Sequence, residues 1–319
     1  MSVTASGWEP PFVFESLRFY LQMCTFNVLP PYKGALLRGA LDNTFRRLAC
    51  PLPRHHCGSC TLTSKCIYIS MFHPPPPADF PDARKYGNAP PPFVLKPSVD
   101  NRQSYHPEDS LEFDLTLIGR AIDAIPYFIY AIDRIGRRGL GRERGRYMLQ
   151  QVALCRNGKN PAIYDGSAQT LKALPPKGPH AKKPSSPVES ITLELQTPMR
   201  IKKKGKLVTR LDFATLFSAL AHRLTLLSAF YGKNGKPDFT ALLDQAKQIE
   251  TVKDETFWYD WPRYSTRQKA MMKLGGLRGK ISFAGDLTPF FPWLQLAERV
   301  HVGQGVTFGL GGYKRNNPF

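Results

Sequence analysis

Four of the six cysteines fall within seventeen residues, as Cys50-x6-Cys57-x2-Cys60-x5-Cys66. Three or four thiolates so spaced suit a structural, tetrahedral zinc, because the Cys57-x2-Cys60 pair places two ligands on one turn. An iron–sulfur cluster would use the same donors, and reduced thiols packed under the following Pro-rich loop are the inert alternative. His55 and His56 stand inside the cluster and could each replace one cysteine. Cys24 and Cys155, within or at the end of apolar runs, read as reduced core thiols.

A second set of residues suits anions. Lys plus Arg number 44 against 25 Asp plus Glu, a formal net charge of +19, and an excess of that size calls for a polyanion as partner. Residues 134–146 hold six arginines (Arg134, Arg137, Arg138, Arg142, Arg144 and Arg146) and one acid, interleaved with glycines. Residues 263–280 hold six basic residues and no acid, Arg263, Arg267, Lys269 and Lys273 among them, with Tyr264 available for base stacking. Arginine in a Gly-rich setting suits bidentate phosphate contact, and aromatic rings stack on bases of any sequence. The Lys202-Lys203-Lys204 stretch reads equally as a solvated face.

The last nineteen residues open with His301-Val302-Gly303-Gln304-Gly305-Val306-Thr307-Phe308-Gly309-Leu310-Gly311-Gly312-Tyr313-Lys314-Arg315. Gly303, Gly305, Gly309 and Gly311 let the backbone approach a ligand closely, and free amides there would cradle phosphate oxygens beside Lys314 and Arg315. No helix opens after these glycines, which excludes the dinucleotide and P-loop readings.

These groups need a scaffold. The chain has 319 residues, 42% of them apolar, enough for two domains. No run of 18 apolar residues occurs, no basic amphipathic helix stands out, and residues 1–11 lack a secretory pattern. The expectation is a cytoplasmic protein with no membrane partner. Residues 12–29 read as a strand ended by Pro30-Pro31, and 33–49 as an amphipathic helix with Leu37, Leu41, Phe45 and Leu48 on one side and Arg38, Asp42, Arg46 and Arg47 on a cationic side. Residues 74–97 are too Pro-rich for a helix or a central strand and read as a surface excursion. A strand at 111–117, a helix at 121–134 and a strand at 147–155 follow, then a linker at 157–187 rich in Pro, Gly and Lys. The second half repeats the order: strand 191–196, helix 213–231 capped by Asp212, strand 280–284, helix 287–298 and a last strand. Two βαββαβ halves make an α+β fold of two tandem ferredoxin-like domains, at 1–156 with a Cys-rich and Pro-rich insertion (50–97) and at 191–319 with the Gly-rich loop, joined by residues 157–190.

In its Gly-rich loop the sequence resembles the CRISPR-associated precursor-RNA-processing endoribonucleases, the "Cas six" branch of the RAMP superfamily. The resemblance extends over nearly the whole chain through Gly34-Ala35-Leu36-Leu37-Arg38-Gly39-Ala40-Leu41, Cys57-Gly58-Ser59-Cys60 with Cys66-Ile67-Tyr68, Gly139-Leu140-Gly141-Arg142-Glu143-Arg144-Gly145-Arg146, and Arg263-Tyr264-Ser265-Thr266-Arg267-Gln268 with Gly275-Gly276-Leu277-Arg278-Gly279. It implies two ferredoxin-like domains, CRISPR repeat RNA as partner alongside other Cas proteins of an effector complex, and cleavage without a metal cofactor. In that reaction the 2′-hydroxyl attacks the adjacent phosphate and leaves a 2′,3′-cyclic phosphate.

Such chemistry needs a base, an acid and a cation at the phosphorane. Many relatives carry a histidine on or beside the first helix, but residues 32–49 contain none. The candidates are therefore Arg38 as the phosphorane cation, His301 before the Gly-rich loop, His55 and His56 just past the helix, and Tyr32 and Lys33 as assistants. Arg46, Arg137, Arg138, Arg142, Arg144, Arg146, Arg263, Arg267, Lys269, Lys273, Lys314, Arg315 and the four loop glycines are the candidate RNA contacts. Arg38 also has a plain reading, an i,i+4 salt bridge to Asp42. The missing helix histidine leaves a second function open: a catalytically silent subunit that only binds guide RNA.

Overall fold

The computed structural model describes residues 9–52, 57–76, 89–156, 160–174, 184, 186–233, 235–265 and 270–316, with the backbone alone at 262–265 and 270–273. The chain divides into two compact units, Phe12–Lys177 with Leu226–Gly235, and Met1–Pro11 with Gly178–Thr225 and Lys236–Phe319. They are called the N-terminal and C-terminal units below.

The N-terminal unit runs β1 (Phe14–Met23), β2 (Asn27–Val28), α1 (Gly34–Ala49), α2 (Ile67–Phe72), β3 (Phe93–Pro97), β4 (Ser104–Tyr105), β5 (Ser110–Ile118), α3 (Ile125–Arg138), β6 (Tyr147–Leu154), β7 (Ala162–Asp165) and β8 (Thr170–Leu171). Its main sheet is antiparallel in the order β3-β5-β1-β6-β7-β8. The first four of these strands, with α1 and α3, trace a βαββαβ path whose first and third strands lie side by side. Period-2 burial drives the pairing: Leu17, Phe19 and Leu21 on β1 face the core with Leu111, Phe113 and Leu115 on β5. Phe45 of α1 and Phe128 of α3 close it with rings 5.0 Å apart, beside Phe72 and Phe93.

The C-terminal unit repeats the path with β9 (Ser190–Met199), the short hairpin β10 (Lys202–Lys203) and β11 (Lys206–Leu207), α4 (Phe213–Tyr231), α5 (Thr240–Gln245), β12 (Glu250–Tyr259), the hairpin β13 (Pro262–Ser265) and β14 (Ala270–Lys273), β15 (Gly276–Ala284), α6 (Phe291–Val300) and β16 (Tyr313–Asn316). Its antiparallel sheet has the order β12-β15-β9-β16, the same strand permutation as the core of the N-terminal sheet. Asp212 caps α4, accepting a bond from the Thr215 backbone amide at 2.6 Å. The helix is long and apolar enough to cross a membrane by composition. Phe213 and Phe217 nevertheless stack edge-on against Phe290 in the core, which accounts for that apolarity.

The two ferredoxin-like halves are as the sequence implies, with local corrections. Residues 12–29 form two strands, because the chain turns at Cys24 to Phe26 to reach β4. The helix expected at 121–134 begins with a 3-10 segment, Gly119–Ala124, and continues to Arg138. Part of the expected linker is sheet, since β7 and β8 extend the N-terminal sheet beyond β6. Part of the Pro-rich stretch is sheet too: β3 occupies the edge, where Pro97 at its end is tolerated.

Candidate RNA interface

Residues 24–28 tie two loops together at one end of the N-terminal sheet. On one side, the Cys24 amide donates to the Arg146 carbonyl at 2.8 Å, the Arg146 amide donates to Thr25 Oγ1 at 2.9 Å, and buried Asn27 donates through Nδ2 to the Leu140 carbonyl at 3.1 Å. On the other side, β2 pairs with β4, and the Leu29 amide donates to the Gln103 carbonyl at 2.9 Å.

The first loop is the arginine segment. Gly139 has φ +93°, and a Cβ there would overlap the Arg144 backbone; one on Gly145 would overlap the Asn27 side chain. The turn is thus closed tightly by glycines, and it carries Arg142, Arg144 and Arg146 exposed. In the second loop Arg102 lies over the Tyr105 ring at 4.7 Å and pairs with Asp109. Exposed His106 lies 5.2 Å, ring to ring, from Phe26, itself 51% exposed. Guanidinium groups beside an uncovered aromatic ring and an imidazole can bind phosphate, stack a base and move a proton. His106, Phe26 and Arg102 are absent from the sequence candidates. Their only sequence signal is residue type, because eighty positions separate the two rings.

The structure places most catalytic candidates in internal contacts. Lys33 is fully buried, with Nζ 3.0 Å from Asp100 Oδ1. Burial opposes ionisation of Asp100, yet the hydrogen bond and charge of Lys33 and the hydrogen bond from the Arg102 amide outweigh it and hold that carboxyl below its ordinary range. Arg38 is buried with Nη1 3.0 Å from Asp42 and its guanidinium 4.6 Å from the centre of the Phe72 ring. Burial pushes that guanidinium down, and Asp42 only partly offsets it. Asp42 also accepts from Tyr68 Oη at 2.7 Å. The plain reading of Arg38 as a helix pair thus matches the geometry. Tyr32 is buried, while His55 and His56 lie outside the described residues.

His301 is buried at the C-cap of α6, with φ +57° and ψ 167°, and its Nδ1 is 3.1 Å from the Leu310 carbonyl. The loop it supports corrects a further expectation. Seven of its amides are spent inside the protein: Val302 donates to Gly311, Gln304 to Arg200, Phe308 to Gly305, Gly309 to Val306, Leu310 to Gly305, Gly311 to Pro198 at 3.0 Å, and Gly312 to Thr197 Oγ1 at 2.8 Å. Positive φ at Gly303, Gly305, Gly309 and Gly311 shapes a self-bonded loop, and a Cβ on Gly303 or Gly311 would overlap a backbone carbonyl. Arg315 pairs with Glu298 at 3.0 Å and lies over Phe291 at 4.5 Å, so it braces β16 on α6, whereas Lys314 is exposed.

Of the remaining cations, Arg137 pairs with Asp133 at 2.8 Å, Arg138 is exposed, and Arg46 is half-buried 6.0 Å from the Tyr68 ring. Arg263 and Lys273 lie on the β13–β14 hairpin; Arg267 and Lys269 lie outside the described residues.

Cys50, Cys57, Cys60 and Cys66 are half-buried thiols, and among the described residues no three His, Cys, Asp or Glu side chains are grouped to hold a metal ion. Cys57 and Cys66 pack against the N-terminal core. Cys24 is exposed where β1 ends, not in the core, and Cys155 is half-buried.

Family comparisons bear on both units. The AF_1859_N N-terminal domain model matches residues 12–176, and that of the CRISPR-associated endoribonuclease Cas6 matches residues 193–313. Residues 193–313 are a Cas6-family domain. The chain's fold is similar to that of a Cas6 product complex (TM-score 0.57, 14% identity, 95% of this chain and 100% of that one) and of Thermus thermophilus Cas6 (0.54, 13%, 96% and 99%). It is also similar to a partial Cas6-RT-Cas1–Cas2 complex (0.56, 15%, 96% of this chain). This chain spans 46% of that longer chain, and 29% of the one in a further Cas6-RT-Cas1–Cas2 complex. No curated protein sequence matches.

Proposed function

We propose that this chain is an endoribonuclease that cuts CRISPR repeat RNA into guide RNA and uses the RNA's own 2′-hydroxyl as nucleophile. The observation that carries the reading is the glycine-closed arginine turn, held through residues 24–28 beside exposed Phe26 and His106. The Cas6-family domain at residues 193–313 supports it, and so does the fold shared with a Cas6 product complex. Phosphates bind Arg142, Arg144 and Arg146, while Phe26 offers a stacking face. The 2′-hydroxyl gives up its proton and its oxygen bonds to phosphorus. The 5′-oxygen then leaves and takes a proton, so the products are a 2′,3′-cyclic phosphate and a 5′-hydroxyl. A guanidinium offsets the phosphorane charge, and His106 is the imidazole placed to move a proton. The longer relatives suggest that other Cas proteins are its partners.

The test is cleavage of repeat RNA by wild type and His106→Gln. Loss of the proton-transfer group should lower turnover about a hundredfold or more at nearly unchanged affinity. Equal turnover removes His106 from the chemistry. A second reading, an RNA-holding subunit without cleavage, is favoured by the buried engagement of Lys33, Arg38 and His301.

A further inference from the structure

The outer face of the C-terminal sheet carries aromatic rings that the fold does not use. Side chains alternate along its strands, and Leu277, Ile281 and Phe283 on β15 point into the core. Trp258 on β12 pairs with Leu277, so its neighbour Phe257, paired with Arg278, stands on the opposite face. Tyr259, two residues on, shares that face. Phe257 is 56% exposed, and the Arg278 guanidinium lies 5.1 Å from the Tyr259 ring centre.

β12 is the edge of its sheet, and a fold gains nothing from a large uncovered ring there. The charges on this face favour an anion. Lys253, Arg278 and Lys280 from β12 and β15 and Lys314 from β16 stand against Glu194, Glu250 and Glu255, with Glu255 already paired to Lys253 at 2.9 Å.

We propose that Phe257, Tyr259 and Arg278 form a stacking platform for single-stranded RNA on the open face of the C-terminal sheet. The proposal deepens the RNA-processing reading and rests on it. Two rings on neighbouring same-face positions accept consecutive bases, the planar Arg278 guanidinium extends the stacking surface, and Lys280 meets the backbone phosphates. Stacking is sequence-tolerant, so the platform serves an unpaired flank and not the recognition of a particular base.

The experiment measures affinity of the full chain for a short oligouridylate carrying one 2-aminopurine and, separately, for a repeat RNA. Phe257→Leu keeps apolar bulk without the ring, and Tyr259→Phe keeps the ring without the hydroxyl. Phe257→Leu should weaken oligouridylate binding by about five- to hundredfold and relieve the quenching of 2-aminopurine, while Tyr259→Phe should match wild type. Thermal unfolding of both variants should match wild type, because Phe257 is exposed on an edge strand. If wild type binds both RNAs and Phe257→Leu binds them equally, the platform is overturned and the face is left to a protein partner. If wild type binds neither RNA, the functional reading fails and the platform fails with it.

Discussion

His301 and Leu310 are joined across the base of the Gly-rich loop, with the imidazole Nδ1 3.1 Å from the Leu310 carbonyl oxygen and the ring buried. The backbone there has φ +57° and ψ 167°, a region that residues other than glycine avoid at a cost of roughly 1–3 kcal/mol. The conformation persists because the His301 amide donates to the Ala297 carbonyl at 2.8 Å and the side chain is locked in the loop.

His301→Ala should therefore destabilise the protein by about 1–3 kcal/mol through the unpaired Leu310 carbonyl. His301→Gly should recover part of that by relieving the backbone. Denaturant unfolding checks both, and the pH profile of turnover separates the roles. A profile that loses one limb in His301→Ala would show proton transfer by this side chain.

For Arg38, the prediction is a loss of stability and not of chemistry. Arg38→Ala removes the Asp42 pair and the guanidinium above Phe72, and should cost about 1–3 kcal/mol, since Asp42 keeps its Tyr68 bond. Turnover per folded molecule should stay near wild type. A tenfold drop with unchanged unfolding would restore Arg38 to the catalytic machinery.

Lys33 and Asp100 give the stability a signature in acid. The Asp100 carboxyl is held below its ordinary range in the folded chain, so its contribution is complete above the unfolded value of about 3.9 and is lost as pH falls through the lower folded value. Asp100→Asn should cost about 1–2 kcal/mol at neutral pH, moderated because Asp100 is half exposed. The gap from wild type should close below about pH 4. A gap that stays constant down to acid would contradict the pairing.

Much of this architecture is legible in the sequence. Leu37, Leu41 and Phe45 recur at helical spacing because one face of α1 meets Phe72 and Phe128. β12 leaves no such trace: almost every residue from Glu250 to Tyr259 is exposed, so polar and apolar side chains do not alternate with its pleat. The candidate site leaves the least local trace. The burial of Lys33 is decided by Asp100, and that of Arg315 by Glu298 and Phe291. Local patterning shows a free cation at each position, and only the tertiary fold supplies the partner. Phe26 and His106 are obscure for the same reason, since β2 and β4 must pair before the rings meet.

Among the arginines, geometry separates those that meet RNA from those that hold the fold. Substituting Ala for Arg142, Arg144 or Arg146, which are exposed on the glycine-closed turn, should each reduce the slope of log affinity against log salt by about 0.7 for single-stranded RNA. Arg315→Ala should leave the slope unchanged and lower stability instead, because Glu298 holds that side chain. Equal slopes for all four variants would contradict the assignment.

Cleavage by the RNA's own 2′-hydroxyl leaves its mark on the product ends, and mapping them decides the chemistry. Purified protein is incubated in EDTA with RNA from its neighbouring repeat array and with the same RNA carrying a 2′-deoxynucleotide just upstream of the cut. One cut is expected in the unmodified RNA, leaving a 2′,3′-cyclic phosphate and a 5′-hydroxyl, and none in the deoxy RNA. Cleavage of the deoxy RNA at the same site, or no cleavage of any repeat RNA, would contradict this chemistry.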